Sequence, residues 1–115
     1  MGSIRNKKIT GLIQKELASI FRYETGNNGL LISVIRVHLS SDLSSAKIYL
    51  SIFSQKKENR KILQEIIDKH LYYKHLLGQR IRNQIRKIPE LNFRIEDTLD
   101  YIENIERELL VERNF

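Results

Sequence analysis

Val37–Phe53, VHLSSDLSSAKIYLSIF, read together with Pro89–Phe93, PELNF, decides the fold of this chain. Val37 and Leu39 end one alternating strand. Ser40, Ser41, Asp42 and Ser44 supply turn chemistry around a single apolar residue, Leu43. Ala46, Ile48, Leu50 and Ile52 then recur every second residue and predict a buried strand face, with Lys47, Tyr49, Ser51 and Phe53 opposite. The stretch is a hairpin. Upstream, Leu30–Leu39 is rich in apolar and β-branched residues and reads as its first strand. Leu31, Ile35, Val37 and Leu39 are expected on one face, Arg36 and His38 on the other.

Helical spacing governs the flanks. Ile9, Leu12, Ile13, Leu17, Ile20 and Phe21 mark an amphipathic helix over Ser3–Tyr23, ended by the glycine and asparagine of Thr25–Gly29. Ser54 is the expected N-cap of a second helical tract that runs to Lys87. A straight helix of that extent would be about 45–50 Å long, too long for one small domain. A break is therefore expected at Lys69–Tyr73, where the apolar phase slips, with Gly78 as the second candidate. Ile88-Pro89 stops the tract. Leu91, Phe93 and Ile95 then alternate with Asn92, Arg94 and Glu96 as a third strand. Asp97 or Thr98 caps a last helix whose apolar side is Leu99, Ile102, Ile105, Leu109 and Leu110. The predicted order is α-β-β-α-(kink)-α-β-α: a two-layer α+β domain with a three-stranded sheet, occupying residues 1–115 as one unit.

Composition narrows the function. The chain has 115 residues, 41% hydrophobic and 30% charged, which suits a folded core. It has no cysteine, so disulfide and thiolate chemistry are excluded. It contains neither an apolar run of membrane-spanning length nor a signal-peptide core, and a cytoplasmic protein without membrane contact is expected. The net charge of +6 is unevenly spread. Residues 1–22 carry five Lys/Arg against one acid, and residues 56–89 carry ten against three. Residues 23–55 are balanced, and residues 90–115 carry three Lys/Arg against eight acids. Such a split predicts one basic side, as a phosphate-binding surface requires.

The foremost candidate for that surface is Arg80-Ile81-Arg82-Asn83-Gln84-Ile85-Arg86-Lys87, read as helix. Ile81, Ile85 and Ile88 would face the core and turn Arg80, Arg82, Arg86 and Lys87 outward, with Lys74 nearby on the same tract. The planar guanidinium fork donates two parallel hydrogen bonds to phosphate. Lys56, Lys57, Arg60 and Lys61 form a second cluster, at a helix start where cations oppose the dipole. Lys7 and Lys8, beside Arg5, extend the charge onto the first helix. A solvated helix face is the plain alternative for each of these. Tyr72 and Tyr73, flanked by His70 and His75, read either as base-stacking rings or as an aromatic belt at the helix bend. His70 and His75 are five residues apart, which misplaces them for a helical metal pair, so no metal or other cofactor is expected. The serines lie in turns without a glycine elbow, and no paired acid-base site is visible.

In wording and order the chain resembles the ribosome-binding factor A family. The resemblance rests on LIQKEL at Leu12–Leu17, SSDLSSAKIYLSIF at Ser40–Phe53, LGQRIRNQIRKIPELNF at Leu77–Phe93 and EDTLDYIENIERELL at Glu96–Leu110. It implies a type II KH-like fold and a non-enzymatic assembly factor. Such a factor binds the immature small (30S) ribosomal subunit and its rRNA, promotes late maturation and rRNA processing, and supports growth in the cold. A monomer with no small-molecule substrate is expected. The ordinary KH clamp, a GxxG loop, is absent from this chain. The family's usual alanine-x-glycine kink is replaced by Asp68-Lys69-His70-Leu71-Tyr72-Tyr73. Two other functions fit the residues alone: a nucleic-acid-binding module unrelated to ribosomes, and a protein-interaction domain that docks through the acidic last helix.

Overall fold

The computed structural model of the protein describes residues 4–26, 29–54 and 58–96. Helix α1 (Ile4–Thr25) is followed by strands β1 (Leu30–Leu39) and β2 (Ser45–Ser54), helices α2 (Asn59–Asp68) and α3 (His70–Ile81), and strand β3 (Glu90–Ile95). The sheet order is β1-β2-β3, with β1 antiparallel and β3 parallel to β2. All three helices lie on one face, α1 against β1 and beside α3, and α2 over β2 and β3. This is a two-layer α+β architecture. The expected last helix, with its cap at Asp97 or Thr98, lies outside the described residues. Among the described residues no helix is long and apolar enough to cross a membrane.

The hairpin forms as its pattern dictates. Ala46, Ile48, Leu50 and Ile52 are buried, and Lys47, Ser51 and Phe53 are exposed. Glycines at φ +51 (Gly26) and φ +72 (Gly29) occupy left-handed backbone in the α1–β1 connection. Leu50 is fully buried, so Leu50→Ala is expected to cost about 2–5 kcal/mol, against under about 1 for Ser51→Ala on the open face. Urea melts of the two variants check this, and equal losses would show the faces to be misassigned.

Strand β1 departs from the expected alternation. Ile32 and Val34 are buried, whereas Leu31 and Ile35 are exposed. The cause is a β-bulge: Val34 pairs with Leu50 and Arg36 with Tyr49, leaving Ile35 as the extra residue. The inward phase therefore moves from even to odd positions, so Leu39 is buried and Val37 partly so. Ser54 ends β2 instead of capping a helix; the N-cap of α2 is Glu58, without a side-chain cap bond.

The helical tract breaks at Lys69, whose φ −102° and ψ +20° lie outside helical geometry. His70 stabilises the break by donating from Nδ1 to the Ile67 carbonyl at 2.8 Å, which satisfies an acceptor freed at the helix end. The kink thus forms without an alanine-x-glycine motif. Gly78 stays helical, and its lack of a side chain has another use. A Cβ there would sit 3.3 Å from Ile88 Cγ1, so glycine lets the returning chain lie against α3.

Helix α3 ends at Ile81, six residues earlier than its sequence pattern predicts. Arg82 is the C-cap, and Gln84 N donates to Ile81 O at 2.8 Å in a turn. Ile85 and Ile88 still pack against the core, but from an irregular loop. The reason is tertiary. Glu90 N donates to Ser44 O at 2.9 Å, and β3 pairs with β2 from Ser45 onward, so the chain must turn back at once. Six more helical residues would carry it about 9 Å further on.

Candidate nucleic-acid interface

The 82–89 loop is the centre of the basic surface. Lys8 and Lys15 of α1 line one side of a shallow hollow, with Gln84 and Ile85 opposite. Ile9 and Ile85 also border a second hollow, where Arg86 and Lys87 face the Asp42–Ser44 turn. Arg82 lines a third with Lys74, His75 and Ile88. Lys7, Lys8, Lys15, Arg82, Arg86 and Lys87 are all exposed. The fold therefore joins cations far apart in sequence around one loop, with Ile9 and Ile85 as apolar lining of two of the hollows and Ile88 of the third. Arginine forks and lysine point charges so placed can hold several phosphates of one backbone.

Lys15 was not among the residues that the charge clusters single out. Its signal is spacing: Lys8, Gly11, Leu12 and Lys15 stand at i, i+3, i+4 and i+7, one helix face.

Other candidates lie elsewhere or are engaged. Arg80 is on the last turn of α3, not on a longer arginine helix. Its guanidinium meets Glu16 Oε2 at 3.2 Å and Ser19 Oγ at 3.0 Å, tying α3 to α1. Lys74 is ion-paired with Glu90, and that hydrogen bond holds the Glu90 carboxyl below its ordinary pKa. Arg60 and Lys61 are exposed in the first turn of α2, which packs on β2 and β3 and not beside α1. Lys56 and Lys57 lie outside the described residues, as does the Arg5 side chain.

The two tyrosines separate. Tyr73 is buried, with its ring centroid 4.9 Å from Phe21 and 5.8 Å from Phe93. It is a core residue and cannot stack on a base. Burial, with help from Glu24, pushes its hydroxyl up to about 12. Tyr72 is exposed and donates from its hydroxyl to Glu24 Oε1 at 2.6 Å, a bond that raises its pKa. Of the pair, only Tyr72 presents a ring to solvent.

Asp42 is the one acid at the centre of this surface among the described linings, and its charge serves the turn. Its Oδ1 accepts from Ser44 Oγ at 2.7 Å, Ser40 Oγ at 2.8 Å and Ser44 N at 3.1 Å. These bonds hold Leu43 in left-handed backbone at φ +63 and lower the carboxyl from 3.8 to about 2. A lowered folded-state pKa contributes stability that is present above the unfolded value and lost as pH falls through the folded one. The hairpin's Asp42 contribution should therefore fade between about pH 4 and pH 2. Asp42→Asn keeps an acceptor oxygen, so its acid unfolding curve should be flatter over that window. Parallel curves for variant and parent would refute the assignment.

Comparison with known proteins supplies the context. The family model described as ribosome-binding factor A matches residues 5–109. A ribosome-binding factor A from Christiangramia forsetii is 44% identical over 108 residues, covering 91% of this chain and 82% of the relative. In fold, the chain is similar to the crystal structure of ribosome-binding factor A from Thermus thermophilus, with a TM-score of 0.64 and 20% identity over 77% of this chain and 93% of that one. It is likewise similar to a homology model of the Thermus thermophilus protein fitted into a cryo-EM map of a 30S complex. There the TM-score is 0.61 and the identity 22%, over 74% of this chain and 88% of that one.

Proposed function

The chain belongs to the ribosome-binding factor A family, and from that premise we propose that it is a non-enzymatic assembly factor that binds the immature 30S subunit. Its KH-like fold, shared with the Thermus thermophilus structures, frames the contact surface. The observation that carries the reading is the convergence of Lys8, Lys15, Arg82, Arg86 and Lys87 around the 82–89 loop. These cations take up rRNA phosphates, and the apolar lining between them accommodates the sugar edge of a strand. Phosphate contacts position the protein without reading sequence, so selectivity for the immature subunit comes from the shape of its rRNA. Maturation and processing of the rRNA then remove that shape, and the factor leaves. It acts as a single cytoplasmic domain and as a monomer.

Co-sedimentation tests the proposal. The protein should pellet with small-subunit precursors and not with mature, initiating ribosomes. Equal binding to precursors, mature subunits and unrelated duplex RNA would instead mark a general nucleic-acid module.

A further inference from the structure

Between the Asp42–Ser44 turn and the 82–89 loop lies a hollow of about 250 Å³. That is below the roughly 300–1,000 Å³ of pockets that take drug-sized ligands, and it suits a single ring system. Its walls are of two kinds. Ile9 of α1, Leu39 of β1, Leu43 of the turn and Ile85 of the loop are apolar. Asp42 and Ser44 are polar, and Arg86 and Lys87 bring positive charge to the same hollow. Glu90 N donates to Ser44 O at 2.9 Å, so the end of the loop is fastened to the turn and the two sides keep their spacing.

The acid decides the ligand. A carboxylate at the centre of a phosphate-binding surface repels what the cations attract. Among the described residues no ion pair joins Asp42 to Arg86 or Lys87, so balancing them is not its role. Its bonds from Ser40 and Ser44 all end on Oδ1, and Oδ2 takes no part in them. The carboxyl is ionised at neutral pH, so Oδ2 can only accept. The Ser44 hydroxyl directs its proton at Asp42 and has lone pairs left over. The polar wall therefore offers acceptors. Leu43 is the other unusual residue. It holds φ +63, which glycine adopts without strain, yet it packs against the core and lines the hollow. The turn thus keeps a leucine whose side chain completes the apolar wall.

We infer that this hollow receives one unpaired guanine base of the rRNA, with Arg86 and Lys87 on the phosphates beside it. The inference rests on the assembly-factor reading of the same surface and adds a base contact to it. Guanine suits the polar wall because N1–H and the N2 amino group are adjacent donors on its Watson–Crick edge. Adenine and cytosine set an acceptor beside their amino group, and uracil flanks its one N–H with two carbonyls. A base drawn out of a stack is read in this way, by hydrogen bonds to that edge and apolar side chains against its faces. Pairing consumes both guanine donors, so only an unpaired base can enter. That requirement agrees with a preference for rRNA that has not finished pairing.

Titration of the methyl-labelled full chain with the single strands UUUGUUU, UUUAUUU and UUUUUUU tests the site. The guanine strand should bind about fivefold or more tighter than the other two, as a hydrogen bond to a charged acceptor allows. Methyl signals of Leu39, Leu43 and Ile85 should move with it. Equal affinity for the three strands, or no movement of those signals with any of them, overturns the inference. In Asp42→Asn the amide oxygen must keep the turn bonds, which sets a donor where Oδ2 stood. The three strands should then bind within about twofold of one another, and UUUUUUU no more weakly than before. A variant that binds all three more tightly and keeps the preference shows Asp42 merely repelling phosphate, and overturns the inference. Ile85→Trp fills the hollow from a half-buried position and leaves every cation in place. It should abolish the preference and change UUUUUUU affinity by less than about twofold. A preference that survives it places the base elsewhere and likewise overturns the inference. Co-sedimentation with precursors is read separately, so failure here is distinct from failure of the assembly-factor proposal.

Discussion

Replacing Lys8, Lys15, Arg86 and Lys87 together by glutamine is expected to weaken binding to small-subunit precursors by about a hundredfold or more at physiological salt. All four side chains are exposed, so the fold should survive. Each neutralised phosphate releases about 0.9 of a counterion, worth roughly 1 kcal/mol at 0.15 M salt. Four ideal contacts would give about 4 kcal/mol, near a thousandfold, and imperfect ones somewhat less. The slope of log affinity against log salt should become shallower by about 3. Arg60→Gln with Lys61→Gln is the matched control. Those charges sit on α2, away from α1 and the loop, and should change affinity by less than about threefold while leaving the slope nearly unchanged. If the quadruple variant binds precursors like the parent, the cations around the loop are a solvated face. The contact must then be sought on α2 or in Lys56 and Lys57.

Much of the scaffold was legible because one period dominated each element. Strand β2 alternates without ambiguity, and its faces follow. The kink was legible because the apolar phase slips at Lys69, even without the motif that usually marks it. Strand β1 was not, because its sequence LLISVIRVHL places apolar residues in both phases. A bulge resolves that conflict, and nothing local says where. The end of α3 was illegible for another reason. Arg82-Asn83-Gln84 carries no breaker, and the stop is imposed by the pairing of Glu90 with the distant Ser44. Because of that stop, Arg86 and Lys87 reach the surface from a loop, while Arg80 stays on the helix and pairs with Glu16. Glu96 was expected on the outward face of β3 and is buried. Its partner, Arg36, is sixty positions away, beyond any periodicity. The site was thus half legible: the residue types were visible, but the juxtaposition of α1 with the loop was a property of the fold.

Tyr73→Ala is expected to cost about 3–5 kcal/mol, lowering the melting temperature by roughly 10–25 °C, while its neighbour Tyr72→Ala costs under about 1. The asymmetry follows from the kink at Lys69, which sets the rotation of α3. Tyr73 is turned into the core, among Phe21 and Phe93, and edge-on contacts between such rings add to the area they bury. Tyr72, one residue earlier, is turned outward, with a bond to Glu24 and an edge contact with Tyr73. Thermal melts of the two variants check the rotation, and equal losses would show that α3 is turned differently. The same pair also tests base stacking. Only the Tyr72 ring is available to a nucleobase, and a stacked base is worth about 1–3 kcal/mol on removal of the ring. Tyr72 lies beside Glu24 and Arg80 and does not line the three hollows around the 82–89 loop, so Tyr72→Ala should leave precursor binding within about twofold, well short of a stacking loss. A tenfold loss in that stable variant would place a base on Tyr72 and extend the contact surface along α3, past Arg80.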